Sequence, residues 1–106
     1  MNSGYYIHLL TNPAKTVLYT GLTNDLPSRL RQHFDNRGLP GTFAGRYHCY
    51  LLIYFEHFQD VNQAIAREKE IKGWTRVKKE QLINAQNPAW QPIDLERLAE
   101  TFTPLN

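Results

Sequence analysis

Residues 16–34 read TVLYTGLTNDLPSRLRQHF, a stretch in which a strand pattern changes into a helix pattern. The branched and aromatic side chains of residues 16–20 predict a strand, and Gly21 predicts a break after it. Asp25 is a residue type that commonly caps the start of a helix. Apolar side chains recur every four positions after it, which predicts a helix over residues 26–34.

The rest of the chain adds strands and further helices. Residues 5–10 predict a strand that pairs with the first one in a hairpin, and residues 50–55 predict a third strand, apolar enough to be central in a sheet. Residues 35–45 contain three glycines and a proline, which predicts a loop. Three further helices are predicted: residues 61–72 between a cap at Asp60 and Gly73, a short helix from a cap at Thr75 to residue 85, and residues 94–102. This order predicts an α+β domain with a small three-stranded antiparallel or mixed sheet flanked by helices.

The composition predicts one small domain and excludes several classes of protein. The 106 residues, 42% of them hydrophobic, suffice for one modest core. A single cysteine, Cys49, cannot form an intrachain disulfide or a cysteine cluster for zinc, which fits a reducing compartment. The N-terminus has no targeting pattern, and the longest apolar stretch, residues 50–55, is too short to span a membrane. The chain is therefore expected to be complete, soluble, cytoplasmic and monomeric.

The charge is unevenly distributed, although the formal net charge is only +2. Residues 26–46 contain four arginines and one aspartate, and residues 67–79 contain six basic and two acidic residues. Residues 94–100 carry a net charge of −2. Two basic blocks and an acidic tail suit a positive face that binds a polyanion, and they equally suit an ordinary solvated surface.

Glu68 is the charged residue least expected at its position. Helical spacing places it on an apolar stripe of the helix over residues 61–72, where a carboxylate needs a cation or hydrogen bonds. Lys72, one turn further on, can supply that cation in a salt bridge. The alternative is a divalent cation, because Mg²⁺ takes one or two carboxylates together with waters and phosphate oxygens. The other charged side chains of this turn are expected to point toward solvent: Arg67, Lys69 and Glu70.

Two further groups of side chains combine polar chemistry with apolar surroundings. Arg29 and His33 share one face of the first helix, where arginine can bind phosphate through two hydrogen bonds and histidine can transfer a proton. Such a pair is also common on a solvated helix edge. Tyr19 precedes the predicted break, which would leave its hydroxyl accessible, while Tyr6 and His8 share one side of their strand. Aromatic side chains in a hairpin otherwise belong to the core.

Residues 6–90 resemble the GIY-YIG nuclease domain, and most closely its short stand-alone bacterial members. Five segments match in order: LYTGLTNDL at residues 18–26, R-x-x-x-H at Arg29 and His33, A-x-x-x-E at Ala64 and Glu68, REKEIKGW at residues 67–74, and NPAW at residues 87–90. The expected organisation is a nuclease-like domain over residues 1–90, followed by a helical tail over residues 91–106 that packs on the same domain.

The resemblance implies a phosphodiester hydrolase that uses one Mg²⁺ or Mn²⁺ ion. By position, Tyr19 would help to activate the attacking water, Arg29 would neutralise the scissile phosphate, and His33 would orient the nucleophile or deprotonate its surroundings. Glu68 would bind the metal ion, which would stabilise the leaving 3′ oxygen. The remaining nucleic-acid contacts are expected from basic, aromatic and amide side chains: Tyr6, Lys72, Trp74, Arg76 and Asn87.

His8 departs from the family pattern, because it occupies the place of the tyrosine that ends the first motif. It could replace that tyrosine as a hydrogen-bonding group or as a base, since the ordinary pKa of histidine lies near neutrality. Alternatively, the site has lost activity and the chain only binds nucleic acid. The lysine that usually follows the second motif is also not evident, because Asn24 or Asp25 falls there.

Three functions remain for this sequence. The first is an endonuclease that acts on DNA rather than RNA, such as branched, damaged or single-stranded DNA in repair. The chain is too small for a separate DNA-reading domain, so recognition would depend on the shape of the substrate or on a protein partner that supplies targeting. The second is a catalytically weak or inactive nucleic-acid-binding module, and the third is a protein-interaction domain that uses the acidic C-terminal helix. No membrane partner is expected.

Overall fold

A three-stranded antiparallel sheet with helices on both faces forms the described part of the chain, residues 4–96 of a computed structural model. Its elements follow in this order: β1 (Tyr5–Thr11), β2 (Leu18–Thr23), α1 (Leu26–Asp35), α2 (Phe43–Arg46), β3 (Leu51–Phe58), α3 (Val61–Lys72) and α4 (Arg76–Gln86). The α+β prediction is confirmed. The predicted helix over residues 94–102 lies mostly outside the described residues. No helix within residues 4–96 has the length and apolar character needed to cross a membrane.

The central strand is β1, which pairs antiparallel with both β2 and β3. The prediction of a central third strand is therefore wrong. Strand β3 lies at an edge of the sheet but can be apolar, because the segment after α4 covers that edge. The Ile93 amide donates to the Leu52 carbonyl at 2.7 Å, and Asn87 Nδ2 donates to the Ile53 carbonyl at 2.9 Å. Covering an edge in this way prevents it from pairing with other chains.

Capping residues set the helix starts as predicted, but two local predictions fail. The side chains of Asp25, Asp60 and Thr75 each accept a hydrogen bond from a backbone amide in the first turn of α1, α3 and α4. Strand β2 does not break at Gly21 but runs through it to Thr23, because β1 offers a continuous partner. The predicted loop over residues 35–45 also contains the start of the short helix α2, capped by the Thr42 hydroxyl.

Each face of the sheet has its own core. One face packs against α3 and α4 through Ile7, Leu9, Ile53, Ala64, Ile71 and Ile83. The other packs against α1 and α2 through Tyr6, Leu10, Leu26, Ala44, Cys49 and Leu52. His8 lies between Tyr6 and Leu10 on this second face, and it is fully buried. Strand alternation thus places one polar side chain in the middle of an otherwise apolar row.

Arg67 connects α3 to β3. Its Nε and Nη2 atoms each donate to the Glu56 carboxylate at 2.9 Å, and its Nη1 donates to Glu70 at 2.6 Å. The Tyr54 hydroxyl donates to the same Glu56 carboxylate. The prediction that Arg67 points toward solvent is therefore wrong, because β3 continues beyond its predicted end at residue 55 and brings Glu56 to the helix.

Replacing Arg67 with methionine should lower the free energy of unfolding by about 1.5–3 kcal/mol, because the Glu56 carboxylate would lose two charge-assisted hydrogen bonds. Urea denaturation at pH 7 measures this loss. Lys69→Met on the exposed side of the same helix is the matched control, and it should change stability by less than about 0.5 kcal/mol. Equal losses in the two variants would contradict the role given to Arg67.

Candidate active site

Three side-chain rings meet on the α1 face of the sheet. The ring centroids of Tyr19 and His33 are 5.2 Å apart, those of His8 and His33 are 5.9 Å apart, and those of His8 and Tyr19 are 6.2 Å apart. Gly21 lies directly opposite His8 in the pairing of β1 with β2. A methyl group at that position would stand 2.5 Å from His8 Nε2, so glycine provides the space that the imidazole fills.

Local sequence explains why these rings converge. Tyr19 and Gly21 are two residues apart on β2 and so face the same side of the sheet as His8. Helix α1 begins three residues after Thr23, and His33 in its last turn is buried against that side. Arg29 lies one turn earlier, with its guanidinium exposed and bonded to Gln32 at 3.2 Å. The cluster therefore has a buried side at His8 and an open side at Arg29.

Both histidines lie where protonation is unfavourable. Among residues 4–96, neither ring nitrogen of His8 has a hydrogen-bond partner, nor does Nε2 of His33. Burial lowers the pKa of His8 from its ordinary 6.5 to about 3, with smaller contributions from positive groups nearby: His33, Arg29 and Lys72. Burial, followed by the charge of Arg29, also lowers the pKa of His33. The imidazoles of His8 and His33 are therefore neutral and lie near positively charged side chains.

The free energy of unfolding should fall as the pH drops from about 6.5 toward 5. Most carboxylates titrate below this range, so the change reports mainly on histidines. The unfolded chain takes up protons on its histidines first, because the folded pKa values of His8 and His33 are lowered. Each histidine contributes a slope of at most about 1.4 kcal/mol per pH unit. Urea denaturation at several pH values measures the slope, and His8→Gln should reduce it. An unchanged slope in that variant would contradict a buried, neutral His8.

Glu68 forms an ion pair with Lys72 on α3. Its Oε2 lies 3.4 Å from Lys72 Nζ, and its side chain is only 19% exposed. The salt bridge foreseen as one alternative is therefore present, and Lys72 is also one of the charges that act on His8. A single long contact leaves most of the carboxylate's hydrogen-bonding capacity available to other cations.

The residues fit a hard divalent cation held by one carboxylate. Within residues 4–96, no group of three or more His, Cys, Asp or Glu residues is arranged to enclose a metal ion. Mg²⁺ does not need such an enclosure, because it keeps several waters and takes oxygen atoms from substrate phosphates. Glu68 supplies a suitable oxygen ligand, whereas imidazole nitrogens suit other metals better. His8 and His33 are therefore better suited to binding water or phosphate.

Four other predicted site residues lie elsewhere or serve the fold. Tyr6 is buried, with its ring 4.9 Å from that of His57. Trp74 packs against the core on the α3 face, with Arg67 and Lys78 over its ring. Arg76 Nη1 donates to the Thr16 carbonyl at 2.6 Å, in the turn between β1 and β2. Asn87 donates to the carbonyls of Ile53 and Gln91, beside β3 and on the opposite edge of the sheet from β2.

Sequence reasoning missed two residues of the cluster. The sequence pattern predicts a break at Gly21, although a glycine inside a strand pattern can also indicate a close approach, here by His8. Phe43 stacks on Tyr19 with ring centroids 6.4 Å apart and an angle of 23° between the planes. No pattern in the glycine-rich segment around it predicted that contact, because it depends on where α2 is placed.

Gly21→Ala should displace the His8 ring and lower the free energy of unfolding by about 1–3 kcal/mol, as expected for overpacking. The added carbon would also stand 3.0 Å from the Tyr19 ring. Histidine NMR resonances and thermal denaturation report the two effects. Gly41→Ala is the control, because a methyl group there would meet no atom within 4 Å. Unshifted His8 resonances in Gly21→Ala would be incompatible with this packing.

A comparison with known protein families identifies the family of this chain. The sequence model of the GIY-YIG catalytic domain matches residues 4–81, a span that includes the three rings, Arg29 and Glu68. The chain belongs to the GIY-YIG family. This is a family of nuclease domains, and the resemblance drawn from the motifs is confirmed.

Relatives of similar size cover nearly the whole chain. It is 37% identical over 92 residues to a UPF0213 protein of Haloquadratum walsbyi, an alignment that covers 87% of this chain and 100% of that one. It is 39% identical over 92 residues to a UPF0213 protein of Bacillus velezensis, with 87% and 89% covered. The solution NMR structure of a UPF0213 protein from Bacillus halodurans superposes with a TM-score of 0.52 at 27% identity, covering 95% of this chain and 99% of that one. The chain is thus similar over most of its length to small UPF0213 proteins.

Proposed function

We propose that this protein is a Mg²⁺-dependent endonuclease that hydrolyses phosphodiester bonds in DNA and selects its substrate by structure rather than by sequence. The observation that supports this most is the contact of the side chains at three family-motif positions, His8, Tyr19 and His33, beside the exposed guanidinium of Arg29. Neutral hydrogen-bonding groups next to a cation suit a phosphodiester, which is anionic and offers oxygen acceptors.

In this proposal, Tyr19 activates the nucleophile. The side chain of Tyr19 is half-buried, and its hydroxyl oxygen accepts a hydrogen bond from the attacking water. The water oxygen forms a bond to phosphorus while the bond from phosphorus to the 3′ oxygen breaks. The proton of the water passes to bulk solvent, and solvent supplies the proton that the 3′ oxygen takes up, so the products carry a 5′ phosphate and a 3′ hydroxyl.

Arg29 and the two histidines act on the phosphate and the water. The Arg29 guanidinium neutralises the non-bridging oxygens through paired hydrogen bonds. His33 Nε2, which has no hydrogen-bond partner in the described part of the chain, hydrogen-bonds the phosphate or the nucleophile. A pKa of about 3 makes His8 a weak base near neutral pH, so of its two possible roles the hydrogen-bonding one is favoured.

Glu68 would hold the Mg²⁺ ion, in competition with the ammonium group of Lys72. Bound there, the ion would stabilise negative charge on the leaving 3′ oxygen. Lys72, once displaced from the carboxylate, would be free to bind a phosphate oxygen. This exchange suits a single 3.4 Å ion pair, because such a pair contributes little to stability on its own.

Labelled duplex, single-stranded and branched DNA, incubated with the protein and with Mg²⁺ or EDTA, tests the proposal. We expect cleavage that requires Mg²⁺, and losses of about 100-fold or more in both Glu68→Gln and Tyr19→Phe. Glu70→Gln on the same helix and Tyr47→Phe are the matched controls and should retain activity. Thermal denaturation of each variant shows whether it is folded.

Two results would overturn the proposal or part of it. Absence of cleavage on all DNA forms would refute the nuclease, whereas a fully active Glu68→Gln variant would refute only the role of Glu68. Salt-sensitive binding without turnover would instead support a binding module without catalysis. The observation that favours this second candidate is His8, since a buried neutral imidazole occupies the place of the motif tyrosine.

A further inference from the structure

Large apolar side chains are exposed mainly in one segment of the described chain, between the end of α1 and the start of β3. They are Phe34 at 46%, Leu39 at 54%, Phe43 at 51% and Tyr47 at 42% exposure, whereas Val77 on α4 is the only other such residue within residues 4–96. Exposed apolar residues that are scattered singly need no explanation, but a group of them marks an interaction surface.

Two of these rings continue the active-site cluster outward. Phe43 stacks on Tyr19 on one side, and on the other its ring centroid lies 4.8 Å from that of Tyr47. The rings of Tyr19, Phe43 and Tyr47 thus form a row that leads from His33 to solvent. We refer to Phe43, Tyr47 and the neighbouring Arg46 as the aromatic platform.

The charge around the platform favours an anionic occupant. The Arg46 guanidinium lies 5.7 Å from the centre of the Tyr47 ring. Residues 26–46, the segment that leads up to Tyr47, contain four arginines and one aspartate, so this segment carries a net positive charge. Aromatic rings flanked by arginine bind unpaired nucleotides, because bases stack on the rings while the cations attract the phosphates.

The platform is held in place by tight backbone packing. A methyl group on Gly45 would stand 2.7 Å from both the Asn36 and the Leu39 carbonyl oxygens, so only glycine allows α2 to lie this close to the preceding loop. The Gly38 amide donates to the Gly45 carbonyl at 2.7 Å, and the Thr42 hydroxyl caps α2. Rings on such a fixed support lose less conformational entropy on binding than rings on a flexible loop.

We propose that the aromatic platform stacks unpaired bases of the DNA strand that lie next to the scissile phosphate. This inference rests on the proposed nuclease function and names its class of substrate: DNA that carries unpaired nucleotides beside the cut, as at a flap, a fork or a free single strand. The bases of an intact duplex are stacked on one another, so they would first have to flip out to reach the rings.

Binding of a DNA hairpin with a single-stranded tail tests the platform without turnover. The tail carries 2-aminopurine, whose fluorescence is quenched by stacking, and the full chain is titrated in EDTA. Phe43→Leu and Tyr47→Leu should each weaken binding of the tailed hairpin about tenfold and lose the quench, whereas Tyr47→Phe should keep both. The matched control is Phe34→Leu, since Phe34 is a similarly exposed aromatic residue whose ring packs against that of Tyr50 instead. It should behave as the unaltered protein does.

Several results would overturn the platform. The first is wild-type binding of the tailed hairpin by both Phe43→Leu and Tyr47→Leu. The second is a loss of affinity in these variants that is equally large for a blunt duplex, or that Phe34→Leu shows equally. The third is an RNA tail that the protein binds at least tenfold more tightly than the DNA tail. The two proposals fail separately. A protein that quenches the tail but cuts no DNA refutes the nuclease alone, whereas one that cuts tailed DNA equally well without Phe43 and Tyr47 refutes the platform alone.

Discussion

The pairing of His8 with Gly21 across β1 and β2 is the constraint on which the site depends. Side chains alternate along a strand, so a slip of β2 by one residue against β1 would turn Tyr19 to the other face of the sheet, away from His8 and His33. Glycine is required opposite His8 because any side chain would occupy the volume of the ring. Burying an imidazole without partners is costly, and the apolar cores on both faces of the sheet offset that cost.

Helix α3 carries two charged contacts of different character on adjacent residues. Arg67 makes two 2.9 Å hydrogen bonds to Glu56 and a third to Glu70, so its guanidinium is largely satisfied and fixes the helix against β3. Glu68 has one 3.4 Å contact to Lys72, whose side chain is 52% exposed. The first contact holds the backbone in position, while the second can be exchanged for another cation at little cost. A fixed helix with one exchangeable carboxylate is a suitable arrangement for reversible metal binding.

The electrostatics of the site follow from unequal burial. His8 and His33 remain neutral because the sheet and α1 exclude water from them, whereas the nearby Arg29 is exposed and keeps its charge. The protein thus presents positive charge at the rim and neutral hydrogen-bonding groups beneath it. An anion bound at the rim would reduce the electrostatic repulsion among these positive groups. The exposed rings after α1 adjoin the same rim through the contact of Phe43 with Tyr19.

The sequence by itself determined the fold class, the helix starts and the family, because caps, apolar periodicity and short motifs are local signals. It also singled out Glu68, because a carboxylate on an apolar stripe stands out without knowledge of its partners. Only the tertiary structure decided that β1 is central, that Arg67 joins β3, that Asn87 covers the far edge of the sheet, and that Phe43 reaches Tyr19. These features depend on contacts between residues distant in sequence, and the apolar character of β3 could not reveal that a later segment covers its edge. The local pattern around Gly21 allowed both a turn and a strand, and pairing with β1 selected the strand.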